Sequence, residues 1–135
     1  MGVVGATSPD DFAVSLPFRA ESARTARTMV GRLLAAHDCP DRLIEDGRLV
    51  VHELVVNGLT HGAPGTRAEI DVVCQMLDEH VLISVLDQGH VGNVAVRAAR
   101  PDSSNGRGLA IVQALSDSWS VDRSDGTRVS AWLAR

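Results

Sequence analysis

The sequence predicts a two-layer α/β sandwich, in which helices cover one face of a mixed, mostly antiparallel sheet. Three observations support this fold class. Two helical stretches follow each other directly in the first half of the chain, alternating apolar stretches typical of strands come in pairs, and the regular βα alternation of a parallel sheet is missing. The predicted order is strand, helix, helix, strand, strand, loop, helix, strand, strand.

The length of the chain favours a single domain. With 135 residues and 44% hydrophobic content, the chain can bury one core and is too short to divide into two. Residues 1–10 are small and polar and are predicted to form a flexible N-terminal tail. We therefore expect one domain over residues 11–135.

Composition and charge argue against several classes of partner. The net charge is −4 and the aromatic content is 3%, without any Tyr, so neither a nucleic-acid backbone nor an acidic membrane is an expected partner. No apolar run approaches the length of a membrane span. Cys39 and Cys74 form no CxxC motif, which indicates reduced core residues and a cytoplasmic protein.

The first half of the chain contains a strand and two helices. Alternating apolar residues predict a strand at 11–18, and Pro17 within it predicts an edge position. Apolar residues at helical spacing predict a first helix from about 20 to 36 and a second from about 41 to 61. Gly62 follows the second helix as the expected cap glycine.

The second half contains four strands and one helix. The predicted elements are, in order, a strand at 69–76, a strand at 81–86, a long loop at 89–105, a helix near 107–115, a strand at 119–121, and a closing strand through Val129 to Leu133.

The second helix carries one polar band on an otherwise apolar surface. Glu53, Asn57 and His61 are spaced at i, i+4 and i+8, so a carboxylate and an amide oxygen point the same way. Mg²⁺ prefers oxygen ligands, and a carboxylate one turn away could accept a proton from an attacking hydroxyl or water. A solvated helix face is the alternative interpretation.

A zinc site on this helix is not expected. His52-Glu53 begins the His-Glu-x-x-His signature of metalloproteases, but position 56 is Val. His61 lies nine residues after His52, about half a helix circumference away, so the two histidines cannot share one metal ion.

Two glycine-containing motifs follow. Asp87-Gln88-Gly89 comes after a strand, where a carboxylate could accept a hydrogen bond from an exocyclic amine and the glycine lets a flat ring approach the backbone. Gly106-Arg107-Gly108 opens a helix, whose free N–H groups and dipole favour an anion such as phosphate. Either motif alone is compatible with an ordinary turn.

The order of these motifs resembles a known family. Glu53-x-x-x-Asn57, Asp87-x-Gly89, Gly106-x-Gly108 and Gly126-Thr127 resemble the N, G1, G2 and GT boxes of the GHKL ATPases, which have the Bergerat ATP-binding fold. The small size is similar to that of the bacterial anti-sigma factor serine/threonine kinases. The resemblance covers the chain from about Phe12 to Leu133.

This resemblance implies roles for individual residues. Asn57 would coordinate Mg²⁺, Glu53 would be the general base, and Asp87 would bind the adenine amino group of ATP. Gly89, Gly106 and Gly108 would frame the nucleotide and a lid at about 90–105, with Arg107 near the phosphates and Thr127 at the adenine end. The chain departs from the G1 pattern at Val91, where many members carry a second glycine.

The resemblance also implies partners. The protein would phosphorylate a small anti-sigma-factor antagonist and bind a sigma factor, and Arg27 in the first helix is a candidate for the partner-binding surface. A homodimer is a further expectation. The alternative is a non-catalytic module of the same fold, in which the nucleotide only sets the shape of a protein-binding surface.

Overall fold

The computed structural model describes residues 2–3, 10–88 and 106–135. Its elements are, in chain order, β1 (Gly2–Val3), β2 (Asp11–Pro17), α1 (Glu21–Ala36), α2 (Asp41–His61), β3 (Glu69–Met76), β4 (His80–Asp87), α3 (Gly106–Leu115), β5 (Ser118–Asp122) and β6 (Thr127–Ala134).

The strands form one sheet in the order β1-β2-β3-β4-β6-β5. Every pairing among the described residues is antiparallel, so this part of the chain needs no crossover between parallel strands. Helix α2 packs against α1 and α3 and lies over β4. The predicted two-layer α/β sandwich is confirmed.

Helix α2 is buried on the side that faces the sheet. Val50, Val51 and Val55 are completely buried, as expected for a helix that is apolar over most of its circumference. Leu49 and Val56 are exceptions, with exposed fractions of 41% and 37%, because they lie on the outer side of the helix layer. The core therefore lies between α2 and the central strands.

The alternation of β4 explains how a carboxylate reaches the interior. Val81, Ile83 and Val85 are buried on the helix-covered face, and two-residue periodicity places Asp87 on the same face. Asp87 is the last residue of β4, and it lies directly opposite Thr127, the first residue of β6. Both side chains are buried at one end of the sheet.

The predicted edge position of Pro17 needs a correction. Strand β2 lies between β1 and β3, so it is second in the sheet. Strand β1 pairs with β2 only at Val14 and Ser15, whereas Pro17 pairs with Glu69 of β3. Among the described residues, Pro17 therefore has no hydrogen-bonding partner on its β1 side. Proline is tolerated at such a position because it has no backbone N–H to donate to a neighbouring strand.

Both cysteines are free, buried thiols, as the sequence predicts. Burial raises the pKa of the Cys74 thiol to about 12. In the described part of the chain, no helix combines the length and the apolar character needed to cross a membrane.

Candidate functional site

Helix α2 presents a carboxylate and an amide on one face. Glu53 and Asn57 are four residues apart on a continuous helix, and both are half-buried. The predicted juxtaposition of these two side chains is therefore present on α2, which packs against α3.

The start of α3 lies directly beside the Glu53 carboxylate. A Cβ atom added at Gly108 would be 2.9 Å from Glu53 Oε1. Gly108 is the third residue of α3, so the carboxylate lies at the end of the helix where unpaired N–H groups create a partial positive charge. The sequence predicted both groups as site residues, and the structure brings them together.

The amide of Asn57 has an unusual environment. Its Oδ1 atom is buried and accepts no hydrogen bond from any residue that the structure describes. A buried polar atom without a partner costs about 1–3 kcal/mol, so such an atom in a native fold calls for an explanation. An amide oxygen can satisfy this need by ligating a hard cation such as Mg²⁺, and the donor set of Asn57 fits that ion.

Residue types that bind zinc do not cluster here. Within residues 2–3, 10–88 and 106–135, no three His, Cys, Asp or Glu side chains converge as a metal site would require.

Asp87 lies at the other end of the site, held against the segment that follows α2. Its exposed fraction is 4%. The backbone N–H of Ala63 donates to Asp87 Oδ1 at 3.3 Å, and the N–H of Gln88 donates to the Ala63 carbonyl at 3.0 Å. These two hydrogen bonds join the end of β4 to the segment that follows α2.

Three glycines surround Asp87. A Cβ at Gly62 would overlap the carboxyl carbon and both carboxylate oxygens, and a Cβ at Gly58 would lie 3.6 Å from Oδ2. Gly126 has a φ of 90°, and a Cβ there would overlap the Asp87 carbonyl oxygen. The sequence predicted Gly62 only as a helix cap and gave Gly58 no role, although glycines at i and i+4 on one helix indicate a close approach.

Some of the predicted site residues lie outside the part of the chain that the structure describes. Gly89, Val91 and the predicted lid at 90–105 lie outside the described residues. Gly106 and Arg107 are the first two residues of α3, as predicted within one residue.

Arg27 of α1 contacts α2 through His52, for which the sequence pattern indicates no partner. Arg27 Nη1 lies 2.8 Å from His52 Nδ1. A guanidinium group only donates hydrogen bonds, so His52 Nδ1 accepts this one. Sequence spacing could not reveal the pair, because the two residues are on different helices and 25 positions apart.

Comparisons with known proteins bear on the family and the fold of this chain. A search of curated proteins finds no match. A crystal structure of the RsbU and RsbW domains of Rv1364c from Mycobacterium tuberculosis is similar in fold, with a TM-score of 0.70 and 24% identity. The match covers 93% of this chain and 32% of that chain, so this protein spans about a third of the length of the Mycobacterium tuberculosis chain.

The family model for the histidine kinase-like ATPase domain matches residues 16–132, which is most of the chain. This match confirms the predicted resemblance to the GHKL ATPases. The chain therefore belongs to the histidine kinase-like ATPase domain family.

Proposed function

We propose that this protein binds Mg-ATP between α2 and the end of the sheet and transfers the γ-phosphoryl group to a serine or threonine of a small antagonist protein. The observation that carries the proposal is the buried Oδ1 of Asn57, which has no partner among the described residues and lies one helical turn from Glu53, whose carboxylate is beside the start of α3. Positioning and electrostatic stabilisation provide most of the catalysis in phosphoryl transfer, and these groups supply both.

The adenine end of the site would be formed by Asp87. An ionised carboxylate accepts hydrogen bonds and donates none, so it selects a base that presents an amine. Guanine presents a carbonyl oxygen at the corresponding position and would leave two acceptors facing each other. Thr127, which lies opposite Asp87 on β6, would support the same end of the nucleotide.

The phosphate end would be formed by α2 and α3. Asn57 would hold Mg²⁺ through its amide oxygen, and the ion, when bound, neutralises charge on the phosphates. The N-terminus of α3, with Gly106, Arg107 and Gly108, offers N–H groups to the phosphate oxygens. Glu53 would take the proton from the attacking serine or threonine hydroxyl, whose oxygen then bonds to the γ-phosphorus as ADP leaves.

The partner class follows from two lines of support. The motif order and size resemble the anti-sigma factor serine/threonine kinases, and the chain is similar in fold to a protein whose crystal structure contains an RsbW domain. We therefore propose a sigma factor and an anti-sigma-factor antagonist as partners, in the cytoplasm, with Arg27 on the partner-binding surface and a homodimer as the assembly.

A labelling experiment tests the activity. The protein would be used to retain partners from an extract of its native cell, and γ-labelled ATP would then be added. We expect label on a serine or threonine of a retained protein. Glu53→Gln should reduce the labelling rate by about 10²-fold or more while leaving nucleotide affinity within about threefold, because general-base catalysis contributes on that scale.

Glu45→Gln is the matched control, since Glu45 is an exposed carboxylate on the same helix. Its labelling rate should equal that of the unmodified protein. Equal labelling by the Glu53 and Glu45 variants would contradict the assigned base. If the unmodified protein binds ATP but labels no retained partner, the alternative of a non-catalytic, nucleotide-dependent binding module is favoured.

A further inference from the structure

Gly62 is a glycine for a reason other than backbone conformation. It ends α2 with φ −91° and ψ −165°, values that residues with side chains also adopt. It lacks the positive φ of a glycine helix cap. The requirement is steric, because a methyl group at position 62 would occupy the space of the Asp87 carboxylate.

The carboxylate has little freedom to move away from such a methyl group. Asp87 has a short side chain with two torsions, and its exposed fraction is 4%. Gly126, in the turn before the opposite strand, lies against its carbonyl oxygen, and Ala63 N–H donates to its Oδ1. A side chain at position 62 would therefore push the carboxylate off the hydrogen bond that orients it.

We infer that Gly62 is a positioning residue that determines nucleotide specificity: its missing side chain allows the Asp87 carboxylate to take the place from which it reads an exocyclic amine. The ligand class is a nucleoside triphosphate whose base carries that amine, so the inference rests on the proposed function. Gly62 acts through Asp87, so a change at position 62 should alter base discrimination before it alters phosphate binding.

Calorimetric titration of Gly62→Ala with two nucleotides tests this. One is ATP, and the other is the purine ribonucleoside triphosphate that lacks the 6-amino group. We expect Gly62→Ala to weaken ATP binding by about tenfold or more, the scale of one hydrogen bond to a charged group. Binding of the analogue should change by less than about threefold, so the preference for ATP collapses.

Gly47→Ala is the matched control. It is another glycine of α2, and its added Cβ would lie 2.8 Å from Leu34 Cδ1, away from Asp87. Its preference for ATP over the analogue should equal that of the unmodified protein. Equal losses for both nucleotides in Gly62→Ala would show a general structural effect and overturn the inference, as would an unchanged preference.

A double variant keeps the inference testable if Gly62→Ala folds poorly. In an Asp87→Ala background the overlap is removed, so adding Gly62→Ala should not lower the urea midpoint and should leave the affinity for ATP unchanged. A further loss of ATP affinity in that background would overturn the inference. If the unmodified protein shows no preference for ATP over the analogue, the proposed role of Asp87 fails first, and that result is distinct from either outcome at Gly62.

Discussion

The two ends of the candidate site each place a carboxylate against a glycine, but in different ways. At the end proposed for adenine, the base end, the short side chain of Asp87 is buried and accepts a hydrogen bond from the backbone N–H of Ala63. There is no room for a Cβ atom at Gly62. At the phosphate end, Glu53 has a longer side chain and is half-buried, and the atom that comes nearest to a Cβ at Gly108 is its terminal oxygen Oε1.

This difference separates two kinds of constraint. The base end is set by backbone segments that cannot yield without disturbing the ends of β4 and α2. The phosphate end is set by a flexible side chain, which can yield at low cost in stability but then leaves its working position. Changes at the base end should therefore alter specificity and stability together, whereas a displacement of the Glu53 carboxylate at the phosphate end should lower the transfer rate without a loss of stability.

Removal of the carboxylate at the base end should have the largest effect on binding. Asp87→Ala should weaken ATP binding by about 10- to 100-fold, because a hydrogen bond to a charged group contributes about 1.5–3 kcal/mol. The unmodified protein should reject GTP by at least about a hundredfold relative to ATP, and the variant should narrow that gap. Titration calorimetry with both nucleotides measures the two effects, and comparable affinities of the unmodified protein for ATP and GTP would exclude the assigned role.

A methyl group at the phosphate end should slow the reaction without destabilising the fold. Gly108→Ala should reduce the rate of phosphoryl transfer by about tenfold or more, since small displacements of a catalytic group are costly. Alanine is favoured over glycine in a helix by about 1 kcal/mol, and the far end of Glu53 can move, so stability should not fall. Single-turnover transfer and urea unfolding measure these quantities separately.

The opposite outcome for Gly108→Ala would break the comparison. A normal transfer rate would show that the position of Glu53 is not limiting. A loss of stability comparable to that of a core variant would show that the phosphate end is as rigid as the base end.

Substitution of a glycine of α2 that is remote from both ends of the site should affect stability alone. Its effect should be the smallest of those predicted for the site and its surroundings. Gly47→Ala would place a Cβ 2.8 Å from Leu34 Cδ1 and 3.3 Å from Val30 Cγ1, in the contact between α1 and α2. Overpacking of this kind costs about 1–3 kcal/mol, partly offset by the helix preference of alanine. Urea unfolding should show a net loss of up to about 2 kcal/mol, while nucleotide affinity and transfer rate per folded molecule stay unchanged.

Much of the fold could be predicted from local patterns. The bounds of α2 at 41–61 and of β3 at 69–76 match the predictions, because proline and glycine punctuate the helix and strict alternation marks the strand. The juxtaposition of Glu53 with Asn57 also follows from helical periodicity alone.

The close contacts of the site could not be predicted in this way. The approach of Asp87 to Gly62 depends on how far the end of β4 reaches beneath α2, which the register of the whole sheet decides. The Arg27–His52 pair depends on how α1 packs against α2. Sequence spacing describes single elements, whereas these contacts arise from the arrangement of several elements.

The most direct test of the account is the magnesium dependence of ATP binding by Asn57→Ala, measured by calorimetry with and without Mg²⁺ beside the unmodified protein. Thr60→Ala, an exposed substitution on the same helix, is the control. The account predicts that Mg²⁺ strengthens ATP binding by about tenfold or more in the unmodified protein and the control, and has little effect in Asn57→Ala. The same magnesium dependence in all three proteins would contradict it.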